Sequence, residues 1–255
     1  MKKIFAIAAM AAMLIACGEE KPENKPNGGG NNNGGGNEEP AFVAAITVDG
    51  QFADWDAVEV EELALKDGNT YTKTALKKVK FYTDEMYINV YVEFDPAEAM
   101  ALCVYFDVDA NATTGRGEPC QGIELYLDGM IADWTLNADE SAFIEPRISA
   151  LAPDMTALKY TGENGATSWA WEELLGAGNG FAVGSLPVAV GANEAFEMAI
   201  VKELSPMPFG EQVGIAVSLS NFGWAECGTL PQYSNEELAA DETIEGRAAC
   251  HILNL

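Results

Sequence analysis

The segment ALKKVKFYTDEMYINVYVEF, residues 75–94, decides how the rest of the chain is read. Its halves, Ala75–Tyr82 and Met86–Phe94, alternate or run rich in β-branched and aromatic residues, the pattern of strands. Asp84 and Glu85 supply a tight turn between them. Outward from this hairpin the same pattern recurs at Met100–Val108 and Gly122–Leu127, joined by a Gly-containing loop. It returns at Ala195–Ile200, Val213–Leu219 and Ala248–Leu253. Turn signals separate the runs, and helix is scarce, with one short turn expected at Asn235–Ala240. The predicted fold class is therefore all-β: an antiparallel two-sheet β-sandwich, jelly-roll-like, over residues 41–255.

The N-terminal forty residues are of another kind. Lys2 and Lys3 precede an uncharged apolar run from Ile4 to Ala16, too short to span the ~30 Å of hydrocarbon that needs about 20 residues. That is the form of a secretory signal peptide, residues 1–16. The run ends in Leu14-Ile15-Ala16-Cys17, which resembles the lipobox of bacterial lipoproteins. The resemblance implies diacylglyceryl transfer to the Cys17 thiol, cleavage before it and further acylation; an ordinary signal peptide is the alternative. Several acyl chains hold a protein stably, at ~0.8 kcal/mol per buried CH₂. The following Gly18-Glu19-Glu20-Lys21 resembles the surface-export signal of Bacteroidetes lipoproteins, implying an outer-membrane location facing outward, with periplasmic retention as the alternative. Residues 22–40 contain no aliphatic or aromatic side chain and are predicted to be a disordered linker, so that residues 17–40 tether the domain with an r.m.s. reach of roughly 27 Å.

Forty Asp and Glu against 14 Lys and Arg give a formal charge of −26. Such a surface repels nucleic acid and anionic headgroups and favours divalent cations, which excludes nucleic acid as a partner. Besides Cys17 there are Cys103, Cys120, Cys227 and Cys250. Four thiols in an oxidising compartment allow three pairings. Cys120 and Cys227 both follow predicted strands in turn-rich segments, so a Cys120–Cys227 disulfide is expected, with buried free thiols as the alternative.

Four blocks, in order, carry a family resemblance. Ile46-Thr-Val-Asp-Gly-Gln-Phe-Ala-Asp-Trp55 resembles the opening of family 9 carbohydrate-binding-module-like domains. Val79–Phe94 resembles their paired strands, Tyr105–Asn111 with Thr114-Gly115 their acidic turn, and Glu197-Met-Ala-Ile a later strand in which Val201 stands for a proline. The resemblance implies a jelly-roll-like sandwich, often a structural calcium, and in some members sugar binding. One departure matters. The two segments that carry the family's clamping tryptophans correspond to Ala97-Glu98-Ala99 and Ala240-Asp241-Glu242, which hold no aromatic residue.

Asp107, Asp109, Asn111, Thr113 and Glu118 fall at positions 1, 3, 5, 7 and 12 of a calcium-loop-like pattern, although Ala112 stands where an EF-hand has glycine. Calcium takes six to eight oxygens, and alternate residues of a turning loop can converge on one centre. A plain turn is the alternative; Asp128 and Asp133 could complete a site. Of the tryptophans, Trp55 is expected in the core, while Trp134 carries no assignment. Trp169 and Trp171 share one face of a strand and serve as core or platform, and Trp224 in Asn221-Phe-Gly-Trp-Ala-Glu has a loop setting suited to stacking on a pyranose. Catalysis has little support: there is one histidine, His251, and no GxSxG. The chain reads as a membrane-anchored, non-catalytic binding module for a glycan, with a structural calcium. The alternative is an interaction component of a surface protein complex.

Overall fold

The computed structural model describes residues 42–65, 73–131, 135–136, 143–145, 155–176, 179–221, 223–232 and 250–255. The signal peptide, Cys17, the linker through residue 40, Asp133, Trp134 and the turn expected at Asn235–Ala240 lie outside the described residues.

The strands in chain order are β1 (Glu61–Ala64), β2 (Leu76–Thr83), β3 (Tyr87–Phe94), β4 (Ala101–Asp107), β5 (Leu125–Met130), β6 (Thr135–Leu136), β7 (Phe143–Glu145) and β8 (Thr156–Tyr160). They continue with β9 (Trp171–Leu175), β10 (Ala182–Gly184), β11 (Val188–Val190), β12 (Asn193–Val201), β13 (Gln212–Ser220), β14 (Glu226–Leu230) and β15 (His251–Asn254). One antiparallel sheet is ordered β1-β2-β3-β12-β10, with β11 also on β12. The other is ordered β14-β13-β4-β5-β8-β9, with β15 on β13; β6 and β7 form a separate pair. The expected β-sandwich is what the chain forms.

Alternation decides which side of each strand enters the core. Val79 and Phe81 of β2, and Ile88, Val90, Val92 and Phe94 of β3, meet Leu102, Val104 and Phe106 of β4 and Val213, Ile215, Val217 and Leu219 of β13. Each such side chain stabilises by about 1.5–3 kcal/mol on burial. The sheets are stitched at one edge where Ala75 N donates to Cys227 O at 3.0 Å. Gly228 permits that approach, because a Cβ there would overlap the Leu76 backbone.

The outer face of the six-stranded sheet is closed by the segment that opens the domain. Ile46 and Trp55 pack on Tyr91 and Ala195, with Phe52, Val58 and Val60 around them. Beneath them Glu197 of β12 is fully buried. Its carboxylate accepts Asp49 N (2.9 Å), Gly50 N (2.7 Å) and Trp55 Nε1 (2.7 Å). Two of the sequence blocks singled out above therefore make one latch.

Two sequence expectations are corrected. Residues Gly122 and Ile123 are not strand: Arg116 and Ile123 form an isolated bridge and Gly122 sits at φ +97°, so β5 starts only at Leu125. The disulfide joins Cys120 to Cys250 (S–S 2.07 Å), not to Cys227. Cys227 faces the inter-sheet core, where its Sγ lies 3.4 Å from Leu219 O, whereas Cys120 belongs to the cluster on the outer face of the seven-stranded sheet. A sulfur inside the sandwich cannot reach one outside. Cys227 and Cys103 are buried free thiols.

Candidate functional site

Strand β4 ends at Asp107, which the register places across from the residue preceding β5, because Phe106 pairs with Leu125. That residue is Glu124. Asp107, Asp109 and Glu124 bring one carboxylate oxygen each within 4.8 Å of one another. Asn111 N donates to Asp107 Oδ1 at 2.8 Å and to Asp109 Oδ1 at 3.1 Å, while Glu124 accepts Val108 N at 3.0 Å and the Thr114 hydroxyl. Burial and the charges of Glu124 and Asp109, opposed by the Asn111 N–H, push the Asp107 carboxyl up to about 7. Burial also raises Glu124.

This set differs from the expected one. Asp107 and Asp109 are in it; Glu118 is not, because its carboxylate lies 3.1 Å from Arg116 Nη2. Asn111 Oδ1 is spent on Thr113 N (3.1 Å) and Thr113 Oγ1 (2.7 Å), a local turn rather than a converging pair of ligands. Asp128 lies farther along β5, 4.0 Å from the Cys103 thiol. The arrangement suits a hard cation: three carboxylates converge, and Gly122 packs against them where any Cβ would overlap Asp107 Oδ2. Asp109 also opens on a polar cleft shared with Glu211, Gln212 and Asn254.

The same loop carries an aromatic corner. Arg116 is only 6% exposed. Its guanidinium donates to Glu118 O, to Glu118 Oε2 and Thr167 O (3.1 and 3.0 Å) and, through Nε, to Ser168 O (3.4 Å). Its Cζ lies 5.6 Å from the centroid of Trp169, within cation–π range. Backbone bonds from Gly117 N to Ala166 O (3.0 Å) and Gly165 N to Gly115 O (2.8 Å) tie the two loops together. Trp169 is 64% exposed and makes edge contacts with Trp171 (5.9 Å) and Tyr126 (5.5 Å). Trp171 opens β9 and packs among Tyr105, Tyr126 and Tyr160 on the outer sheet face. The sequence spacing places the two tryptophans on one strand face. Trp169 instead precedes β9, in a turn where Ala170 N bonds Ser168 O, so it faces solvent while Trp171 packs.

Trp224 is 61% exposed at the tip of the β13–β14 hairpin and takes φ +61°, a conformation bulky residues avoid. Asn221 fixes it there: Trp224 N donates to Asn221 O (2.9 Å), and Asn221 Oδ1 accepts Gly223 N and Ala225 N. It does not join the other two. Trp171 pairs with Tyr160, beyond the row Lys159–Leu125–Phe106–Ile215, whereas Trp224 lies beyond the row Ser220–Ala101–Met130. At about 3.3 Å per residue those rows are about 17 Å apart along β4. His251 joins β15 to β1, its Nε2 2.9 Å from Glu61 Oε2 and its ring stacked on Phe81.

No protein-family model matches this chain, and no curated protein matches it. Among solved structures, a family 9 carbohydrate binding module from Caldicellulosiruptor kristjanssonii, determined with cellotriose, is similar to it at 12% identity and a TM-score of 0.36. That match covers 73% of this chain and 78% of the other. At that distance the likeness carries no ligand over.

Proposed function

We propose that the chain is a non-catalytic glycan-binding module, tethered through acylated Cys17 to the bacterial outer membrane with its domain outward. The observation that carries the reading is Trp169: a largely exposed indole set against a buried arginine and in edge contact with Trp171 and Tyr126. Ordering an aromatic side chain before the ligand arrives lowers the entropy cost of binding, and a flat indole suits the C–H face of a pyranose. Trp171 backs the platform rather than touching ligand, and Trp224 is a separate contact. Calcium held by Asp107, Asp109 and Glu124 would neutralise the charge gathered in the loop that also contains Arg116. The test is an immobilised-glycan panel probed with the mature protein. Wild type binds a subset of glycans, and Trp169→Ala loses at least about 1 kcal/mol of that affinity, the order of an aromatic stacking contact. A panel without a Trp169-dependent hit ends this reading.

A second reading, an interaction component of a surface complex, is favoured by one observation. Val183, Leu186 and Val188 are exposed together along the β10–β11 edge. If that edge is the working surface, Val188→Lys releases the membrane-extracted protein from a larger assembly.

A further inference from the structure

Trp169 combines two features that pull in opposite directions. An exposed indole on a chain of formal charge −26 is, by electrostatics alone, a site for a cation. Yet a cation is already in place. The Arg116 guanidinium lies 5.6 Å from the ring centroid and is held there by Glu118 O, Glu118 Oε2, Thr167 O and Ser168 O. Arginine does not deprotonate in proteins, so the guanidinium stays cationic; Glu118 pairs with its Nη2 at 3.1 Å, and it is Cζ that stands over the ring. With the arginine against the ring and 64% of the residue still exposed, the open side of the ring is left for ligand.

We propose that Arg116 is the specificity-determining residue of the Trp169 platform, closing it to cationic ligands so that it accepts an uncharged sugar ring. This rests on the glycan reading above. Three ligand classes meet the site differently. A polyanionic glycan is repelled by the acidic domain as a whole. A cationic amino sugar is drawn to the domain but meets, through the ring, the charge of Arg116, which has used the quadrupole attraction the ammonium would need. A neutral pyranose binds by dispersion and apolar burial, which neither field opposes. The local charge and the global charge thus exclude opposite classes.

Hexamers of three classes test this with the full mature chain at one fixed, moderate ionic strength and a pH at which sugar amines are protonated: cellohexaose, xylohexaose and mannohexaose as neutral probes, a glucosamine hexamer as the cation and hexagalacturonate as the anion. The quantity read is the part of binding that Trp169→Ala removes, which discounts general attraction to an acidic protein. In wild type that part is confined to neutral probes. Arg116→Met admits the glucosamine hexamer, moving its affinity relative to the neutral probe by about two- to fivefold, the scale of an exposed cation–π contact. Arg116→Lys keeps the exclusion because it keeps the charge. A merely structural role would weaken all probes alike in both variants. Thermal melts check that each variant is folded; if Arg116→Met is not, Arg116→Gln, which also removes the charge and keeps hydrogen-bond donors, takes its place. Trp169-dependent binding of the glucosamine hexamer or of hexagalacturonate by wild type, or unchanged selectivity in folded Arg116→Met, overturns the assignment while leaving glycan binding intact. Absence of any Trp169-dependent binding overturns both.

Discussion

Two of the buried carboxylate sites among the described residues are treated in opposite ways. Glu197 sits alone under the opening segment, and three N–H donors, Asp49 N, Gly50 N and Trp55 Nε1, close on it at 2.7–2.9 Å. At the end of β4, Asp107, Asp109 and Glu124 crowd within 4.8 Å and share few donors, with Asn111 N divided between two of them. Both sites carry the cost of taking a charged group out of water, and burial raises Glu197, Asp107 and Glu124 alike. The first offsets part of that cost with the protein's own hydrogen bonds, three of them to one carboxylate. The second leaves like charges facing one another, a state that protons or a cation would relieve. A buried acid is therefore not itself a sign of a site; the number of its donors tells a structural latch from a receptor.

The largest effect should come from opening the latch. Glu197→Ala leaves the buried Trp55 Nε1 and the part-buried Asp49 and Gly50 N–H groups without an acceptor, and at about 1–3 kcal/mol for the buried donor, with less from the two wetter ones, the domain should lose about 3 kcal/mol, read by chemical denaturation. A loss below about 1 kcal/mol would show that water replaces the carboxylate and that the latch is not closed. The acidic loop should behave the other way round and be strengthened by a solute. Calcium at a hundredfold excess over its dissociation constant adds about 2.7 kcal/mol, which for a domain of this size raises the melting temperature by roughly 5–10 °C, reversed by EDTA. Glu124→Gln should abolish that increment and Glu118→Gln should leave it. An unchanged melting curve with EDTA, or a calcium response that follows Glu118, breaks the contrast between the two regions.

These regions also differ in how far the sequence discloses them. Residues 75–94 give β2 and β3 nearly to the residue, because Val79, Phe81, Ile88, Val90, Val92 and Phe94 alternate strictly into the core. The latch is visible in the sequence as two separate blocks, but their contact is not, since Trp55 and Glu197 meet through tertiary packing. In the acidic loop, spacing finds Asp107 and Asp109. Glu124 escapes it, because its place depends on the β4–β5 register and not on the loop's own period. Glu118 fits the spacing and is drawn off by Arg116. The disulfide fails for a related reason: which side of β14 Cys227 faces is fixed by pairing with β13. Strands β9 and β11 are short and largely exposed, so no hydrophobic alternation announces them.

The most discriminating effect is in the pH dependence. Asp107 has its carboxyl raised from the ordinary 3.8 to about 7. Between those values the folded chain holds a proton that the unfolded chain has released. Stability from this group is therefore greatest at or below pH ~4 and falls as pH rises toward 7, then levels off. Glu124, raised by the same burial, adds to the same slope. In EDTA the wild-type melting temperature should decline across pH 4.5–7 more steeply than that of Asp107→Asn, with the difference between the two proteins isolating the loop from the other acids. In saturating calcium the sign should invert, because the cation competes with the proton and its affinity rises as the carboxylates ionise. Glu197 sets the control. Its own raised carboxyl contributes equally to both proteins and to both conditions, so it cancels in the comparison. Identical pH slopes for wild type and Asp107→Asn in EDTA would mean that water already solvates the cluster, and the loop would then be a turn rich in acids with no call on a cation.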